Sequence, residues 1–210
     1  GKRGENLVDL EEYEKADEFY SKSIELAKNI LSSDPQDKQA KRDVALQYKK
    51  RATALNAQGK NERGIENMTF ALNIFQELAD ADPNNTENRY DIANARRIIG
   101  LTYLTMKQYE KALEVSRTAA AEYNTALEAN PDKDYIKVGY AFAFKSIGRS
   151  YLGLAEKGNR RENLQKAVEN LQVALNTLKA VNETGRLNQS DVSNLETLDK
   201  QIAEIKNKSS

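Results

Sequence analysis

The stretches SSDP (residues 32–35), DADP (80–83) and EANP (128–131) end in the three prolines of this 210-residue chain. These prolines, Pro35, Pro83 and Pro131, are 48 residues apart in both intervals (83 − 35 and 131 − 83). Prolines at such even spacing indicate internal repeats. Because proline drives the residue before it out of the α region, each stretch predicts a turn at which a helix ends.

Small residues recur in the same 48-residue register. Three sets of small residues, here called columns, have members 48 residues, or a multiple of 48, apart: Gly4, Ala52, Gly100 and Gly148; Ala16, Gly64 and Ala112; and Ala45, Ala93 and Ala141. A column of large residues, Leu7, Leu55, Tyr103 and Tyr151, lies three positions after the first of these. Such columns are typical of helices that approach each other closely. The word YEKA, at 13–16 and again at 109–112, fits this register and predicts that a second helix begins at Tyr13 and at Tyr109, with each tyrosine packed against the preceding turn.

The apolar residues follow a helical period, as in Ile65, Met68, Leu72 and Phe75. Helices are predicted near residues 37–58, 62–80, 86–106, 109–128, 133–156 and 160–181, and no stretch alternates as a strand would. The loops are short, so neighbouring helices are expected to be antiparallel. The predicted fold is all-α, an α-solenoid of helix pairs.

The register divides one domain, 1–210, into smaller parts. These are a partial first repeat (1–35), full repeats at 36–83 and 84–131, a repeat with a short insertion (132–181), and a capping helix (189–208) with Ser190 or Asp191 as its N-cap. The insertion adds seven residues, predicting a longer loop or a longer helix. Because the register begins part-way through a repeat, we expect the chain to be a piece of a longer protein.

Composition excludes several kinds of function. The chain has 32 basic and 32 acidic residues and no histidine or cysteine. A neutral chain has no general attraction for nucleic acid, which is not expected as a partner. Without histidine or cysteine, the usual general base, thiolate nucleophile and zinc ligands are missing. No apolar run approaches the length of a membrane span, so direct membrane insertion of this segment is not expected. The compartment stays open between the cytoplasm, slightly favoured, and an extracytoplasmic part of a membrane protein.

These columns resemble the tetratricopeptide repeat (TPR). That family has Gly in the first helix, Tyr or Leu three residues later, two Ala in the second helix and Pro at the end, which correspond here to Gly100, Tyr103, Ala112, Ala119 and Pro131. The usual repeat has 34 residues. A period of 48 resembles a long-helix bacterial variant, similar to arrays attached to bacterial receptor-type serine/threonine kinases.

The residues do not predict an enzyme. The segment DPNNTENRYDIA places polar residues at alternate positions, but Glu87 and Ala93 stand where a calcium loop requires Gly and Glu. The turn DPQD occupies the same place one repeat earlier, which favours a plain inter-repeat turn. No catalytic residue, metal site or cofactor is predicted.

The resemblance implies a concave groove lined by the first helix of each repeat. Carried over by register, the candidate groove residues are Arg42, Lys49, Tyr90, Asn94, Arg97, Tyr135, Phe142, Lys145 and Arg149. Lys49, Arg97 and Lys145 form a basic column, a predicted row of anion contacts. Thr53 stands where the family's carboxylate clamp has Asn, which is a departure from that clamp. The alternatives are that these cations only solvate helix faces and that the aromatic rings pack between repeats.

The function predicted from the sequence is a non-catalytic module that binds a peptide or protein segment in this groove. An acidic segment is the favoured ligand. Two alternatives remain open: a sensory or regulatory region of a larger bacterial signalling protein, such as a membrane serine/threonine kinase, and a structural spacer or dimerisation element. The oligomeric state is not predicted.

Overall fold

The computed structural model describes the backbone of residues 2–209 and the side chains of residues 15 and 17–207. Over that backbone the chain forms eight α-helices and no strand. The helices are α1 (Lys2–Ser33), α2 (Lys38–Ala57), α3 (Asn61–Ala81), α4 (Thr86–Thr105), α5 (Tyr109–Ala129), α6 (Asp134–Ala155), α7 (Arg160–Asn182) and α8 (Gln189–Ser209). Helix α1 packs on α2, α2 on α3, α5 on α6, α6 on α7 and α7 on α8. The predicted all-α fold of the α-solenoid type is confirmed.

The helices form two compact units. The first covers residues 1–91, with α1, α2, α3 and the first part of α4, and buries Leu55, Met68 and Phe75 completely. The second covers residues 92–210, with the rest of α4 and α5–α8. Its core includes Leu171 of α7 and Leu198 of α8, both completely buried.

The predicted turns at the prolines are confirmed. Helices α1, α3 and α5 end at Ser33, Ala81 and Ala129, two residues before each proline. The next helix then begins with a side-chain cap in two cases out of three. The Asp37 carboxylate accepts from the backbone N–H groups of Gln39 and Ala40 at 2.8 and 3.0 Å, and the Asn85 side chain does the same for α4.

Lys133 occupies the corresponding position before α6 and makes no side-chain cap. Its backbone (φ −84°, ψ 97°) is already extended, as at Asp37. Lys133→Asn is therefore expected to raise the free energy of unfolding by about 1 kcal/mol, because the amide oxygen can accept from backbone N–H groups in the first turn of α6. Chemical unfolding followed by circular dichroism measures this. Lys133→Gln, which is too long to cap, is the control, and an equal gain from both variants would contradict the capping explanation.

Helices α2 and α4 end in the same hydrogen-bonded turn. Gly59 has φ +74°, which is typical of the residue that follows a helix, and the Lys60 N–H donates back to the Leu55 carbonyl at 2.9 Å. After α4 the left-handed residue is Lys107 (φ 57°), and the Gln108 N–H donates to the Tyr103 carbonyl at 2.9 Å. The backbone therefore keeps this turn even where a lysine replaces glycine.

The small columns lie where helices cross. A Cβ built on Gly100 of α4 would lie 2.5 Å from the Ser116 Oγ of α5 and 3.6 Å from the Ala112 carbonyl. A Cβ on Gly148 of α6 would lie 2.6 Å from Leu171 of α7 and 3.1 Å from the Ala167 carbonyl. Between α2 and α3 the glycine is on the other helix. There a Cβ on Gly64 would lie 3.2 Å from the Ala52 carbonyl. The small residues therefore allow close crossing of the two helices in each pair.

One prediction about the repeated YEKA sequence is wrong, the start of a second helix at Tyr13. Tyr13 lies inside α1, which begins at Lys2, because position 11 holds Glu where the register places Gly59 and nothing interrupts the helix. Tyr109 does begin α5, as predicted, and its ring lies against α6. A Cβ on Gly153 of α6 would lie 2.3 Å from that ring. Ala112 is completely buried, as a close-packing position should be. The side chains of Gly4, Leu7 and Ala16 lie outside the described residues.

The seven additional residues before Ala167 mainly lengthen helices. Helix α6 has two residues more than α4, the loop at 156–159 has one more than the loop at 106–108, and Ala167 lies four residues deeper in α7 than Ala112 lies in α5. The predicted N-cap of α8 is also corrected. Asn188 fills this role, since its side-chain oxygen accepts from the Asp191 N–H at 2.9 Å.

Candidate binding cleft

A cleft of about 230 Å³ opens in the second unit between α4, α6 and α8. Its lining residues are Arg97, Leu101, Phe142, Lys145, Ser146, Arg149 and Asn194. Phe142, Lys145 and Arg149 share one face of α6 because they are spaced three and four residues apart. Four of the predicted groove residues, Arg97, Phe142, Lys145 and Arg149, are therefore brought together.

Arg97 is oriented by two neighbours. Its Nη2 donates to the Asn94 Oδ1 at 2.9 Å, and its guanidinium carbon lies 6.0 Å from the centre of the Phe142 ring. Asn94 is buried, so its amide gives the guanidinium a fixed acceptor. Asn94 thus lies behind the cleft and acts through Arg97.

Lys145 is held in a similar way from α8. Its Nζ donates to the Asn194 Oδ1 at 2.5 Å and lies 5.7 Å from the centre of the Phe142 ring. Burial lowers the pKa of the Lys145 ammonium, and the neighbouring Arg149 cation lowers it further, while Asp191 acts in the opposite direction. The protein therefore holds this cation where its charge is only partly stabilised.

Within the described residues, no ion pair neutralises the charges in the cleft. Among the described residues, none of Arg97, Lys145 and Arg149 has a carboxylate within salt-bridge distance. Amide oxygens and an aromatic face orient two of the three cations, and these groups carry no net charge. The cleft is consequently a positively charged pocket suited to an anion.

In the first unit, the candidate cations Arg42 and Lys49 are paired with a carboxylate. Arg42 donates to Asp91 at 2.6 Å, and the Lys49 Nζ lies 3.6 Å from the same carboxylate, which is only 3% exposed. The hydrogen bond to Asp91 raises the pKa of Arg42. Glu87 adds a weaker contact to Arg42 at 3.9 Å. Arg42 and Lys49 therefore form an ion-pair cluster around a buried acid.

The remaining candidates lie outside these two clusters. Tyr90 is half-buried beside Asp91 in α4, and Tyr135 is 38% exposed, two turns from Phe142 along α6. The predicted row of Lys49, Arg97 and Lys145 stays a prediction, because Lys49 belongs to the first unit and the other two to the second.

Sequence reasoning missed Asp91 and Asn194. Asp91 lies 49 residues from Arg42, and Asn194 lies 49 residues from Lys145. The register offered one signal for Asp91, since Asp43 lies 48 residues before it. Asn194 belongs to α8, outside the repeats, and has no equivalent column.

Within residues 15 and 17–207, no group of three or more Asp or Glu side chains could hold a metal ion. No helix in the described part of the chain is both long and apolar enough to cross a membrane.

Residues 1–30 match the family model of the tetratricopeptide repeat. No curated protein matches the sequence. A solved structure of a de novo designed helical repeat protein is similar over 96% of both chains, with 14% identity and a TM-score of 0.38, a level that supports no argument.

The repeat-family match and the succession of packed helices together support a TPR-like helical repeat protein. Repeats of this kind generally serve as non-catalytic scaffolds for protein–protein interaction.

Proposed function

We propose that the chain is a non-catalytic interaction module that binds an acidic peptide or protein segment at the cleft between α4, α6 and α8. The observation that supports this most directly is that Arg97, Lys145 and Arg149 line one cleft and that, among the described residues, none of them has a carboxylate within salt-bridge distance. A bound acidic group would form charge-assisted hydrogen bonds with them.

The cleft also offers apolar contact. Leu101 is 39% exposed at its edge, and the Phe142 ring lies between Arg97 and Lys145. A segment that presents an acidic side chain next to an apolar one would match both features. Specificity would then depend on Phe142 and Leu101, while the cations supply attraction and orientation.

A charge reversal tests the proposal. Arg97→Glu, Lys145→Glu and Arg149→Glu together should abolish binding of fluorescent acidic peptides in an anisotropy assay on the full chain, because the pocket would then repel them. The matched control reverses three exposed cations outside the cleft: Arg160, Arg161 and Lys200. This control should bind as the unmodified chain does. Equal binding by both triple variants, or no binding of any acidic peptide, would refute the assignment.

We also propose that the chain is a long-helix TPR-like array with a 48-residue period and the repeat boundaries predicted above. The first residues of α2, α4 and α6, at 38, 86 and 134, support the period, as do those of α3 and α5, at 61 and 109. The crossings at Gly64, Gly100 and Gly148 support the same register.

The two alternative roles remain predictions. The coding sequence next to this segment would show whether it belongs to a larger signalling protein such as a membrane kinase. Phe19, Leu26 and Ile30 are well exposed on α1 and would suit a dimerisation element. Sedimentation velocity over a range of concentrations tests that role.

A further inference from the structure

We propose that the cleft of the second unit selects a phosphorylated side chain over a carboxylate, with Asn194 of α8 as a positioning residue. This inference rests on the proposed function, because it names the group that the bound segment presents. It begins from the charge of the pocket: three cations line it, and no carboxylate is among its lining residues.

A single carboxylate would leave most of this charge uncompensated. It has one negative charge, whereas Arg97, Lys145 and Arg149 contribute three positive ones. Asp191 acts electrostatically on Lys145 but does not line the cleft. A phosphoryl group carries between about −1.5 and −2 at neutral pH and has three strong acceptor oxygens. The charge of the pocket therefore matches a phosphoryl group more closely than a carboxylate.

The donors in the cleft also fit such a group. Two guanidinium groups can each offer paired N–H donors to neighbouring oxygens, and the ammonium adds a compact charge. Lys145 uses one N–H in its bond to Asn194 and keeps two for a ligand. Arg97 is likewise fixed by Asn94 before any ligand binds, so little side-chain entropy is lost on binding.

Helix α8 is therefore more than a cap. Asn194 is the part of α8 that lines the cleft, and its neutral amide orients Lys145 without cancelling the charge. An aspartate at this position would have almost the same shape but would form an ion pair with Lys145. The amide is thus the feature of α8 that keeps the pocket positive.

A nucleic acid strand fits these observations less well than a modified side chain. The chain as a whole has no net charge, whereas binding along a phosphate backbone usually requires an extended basic surface. The three cations converge on one small cleft of about 230 Å³. A single phosphoryl group on a peptide is consequently the favoured ligand.

Fluorescence anisotropy with the full chain and three labelled peptides tests the inference. The peptides consist of alanine, glycine and one phenylalanine, and differ only in a central phosphoserine, glutamate or serine. The phosphoserine peptide should bind about tenfold more tightly than the glutamate peptide, because one additional charge-assisted hydrogen bond has about that effect. The serine peptide should bind most weakly. Added sodium chloride should weaken the phosphoserine complex.

The variants separate charge from structure. Lys145→Gln and Arg149→Gln should each weaken the phosphoserine complex about tenfold or more. Asn194→Asp should weaken it more than Asn194→Ala does, since only the aspartate neutralises Lys145. If Asn194 had only a structural role, Asn194→Ala would weaken the complex more than Asn194→Asp, because aspartate keeps the shape of the side chain. Arg149 is exposed, so Arg149→Gln remains informative even if a variant at a more buried position fails to fold.

The remaining outcomes are distinct. Equal binding of the glutamate and phosphoserine peptides overturns phosphate selection but leaves the proposed acidic-peptide function intact. If neither these three peptides nor the acidic peptides used above bind, both the phosphate selection and the proposed acidic-peptide function are wrong. Tighter binding of a single-stranded oligonucleotide than of the phosphoserine peptide would replace the peptide ligand by a nucleic acid.

Discussion

Asp91→Ala is expected to lower the free energy of unfolding by about 3 kcal/mol, because it leaves two cations without their shared partner. The Asp91 carboxylate is almost completely buried and contacts both Arg42 and Lys49. Those side chains are 29% and 21% exposed, so water can compensate them only in part. Their mutual repulsion, now balanced by the acid, would add to the loss.

Chemical unfolding followed by circular dichroism measures this effect. Glu87→Gln is the matched control, since Glu87 is exposed and contacts Arg42 only at 3.9 Å, and its removal should cost less than about 0.5 kcal/mol. In an Arg42→Ala background the Asp91→Ala loss should shrink, which a double-mutant cycle quantifies. A loss at Asp91 no larger than that at Glu87 would mean that the cluster contributes little to stability.

Gly139→Ala is expected to lower the free energy of unfolding by about 2 kcal/mol through overpacking. A Cβ at Gly139 of α6 would lie 2.5 Å from two carbon atoms of the Tyr123 ring and 2.7 Å from its hydroxyl oxygen. Tyr123 of α5 is completely buried, so its ring cannot turn into solvent to make room. The two helices would have to separate or the ring would have to leave its rotamer.

Gly158→Ala provides the comparison for this prediction. A Cβ at Gly158 would meet nothing within 4 Å, so that variant should be nearly neutral. In a Tyr123→Leu background the Gly139→Ala loss should fall, because the atoms that clash with the new methyl group are gone. An undiminished loss in that background would show that contacts other than the one with Tyr123 cause the effect.

Much of the fold could be predicted from local features of the sequence. The turns at Pro35, Pro83 and Pro131 depend on the geometry of proline itself, and Gly59 ends α2 because glycine adopts positive φ without strain. These rules were less informative at positions where another residue type takes the place of the glycine that ends a helix. Lys107 takes the left-handed position after α4, and α1 continues through residue 11 without interruption.

The candidate cleft was predicted only in part. Register placed Arg97, Lys145 and Arg149 on one side of their helices, since residues three, four or 48 apart keep a common face in this repeat. It could not show which cations would be neutralised. That depends on side chains from other helices, such as Asp91 beside Lys49 and Asn194 beside Lys145.

The sequence by itself determined the helices from α2 to α8, the turns at the three prolines and the small residues at the helix crossings, because each follows from short-range backbone geometry and helical period. Only the tertiary structure decided where positive charge remains available. Lys49 meets a buried carboxylate and Lys145 meets a neutral amide, although both are lysines of the same column. The net charge at each site is a sum over atoms that packing brings together, and neighbours in the sequence do not fix that sum.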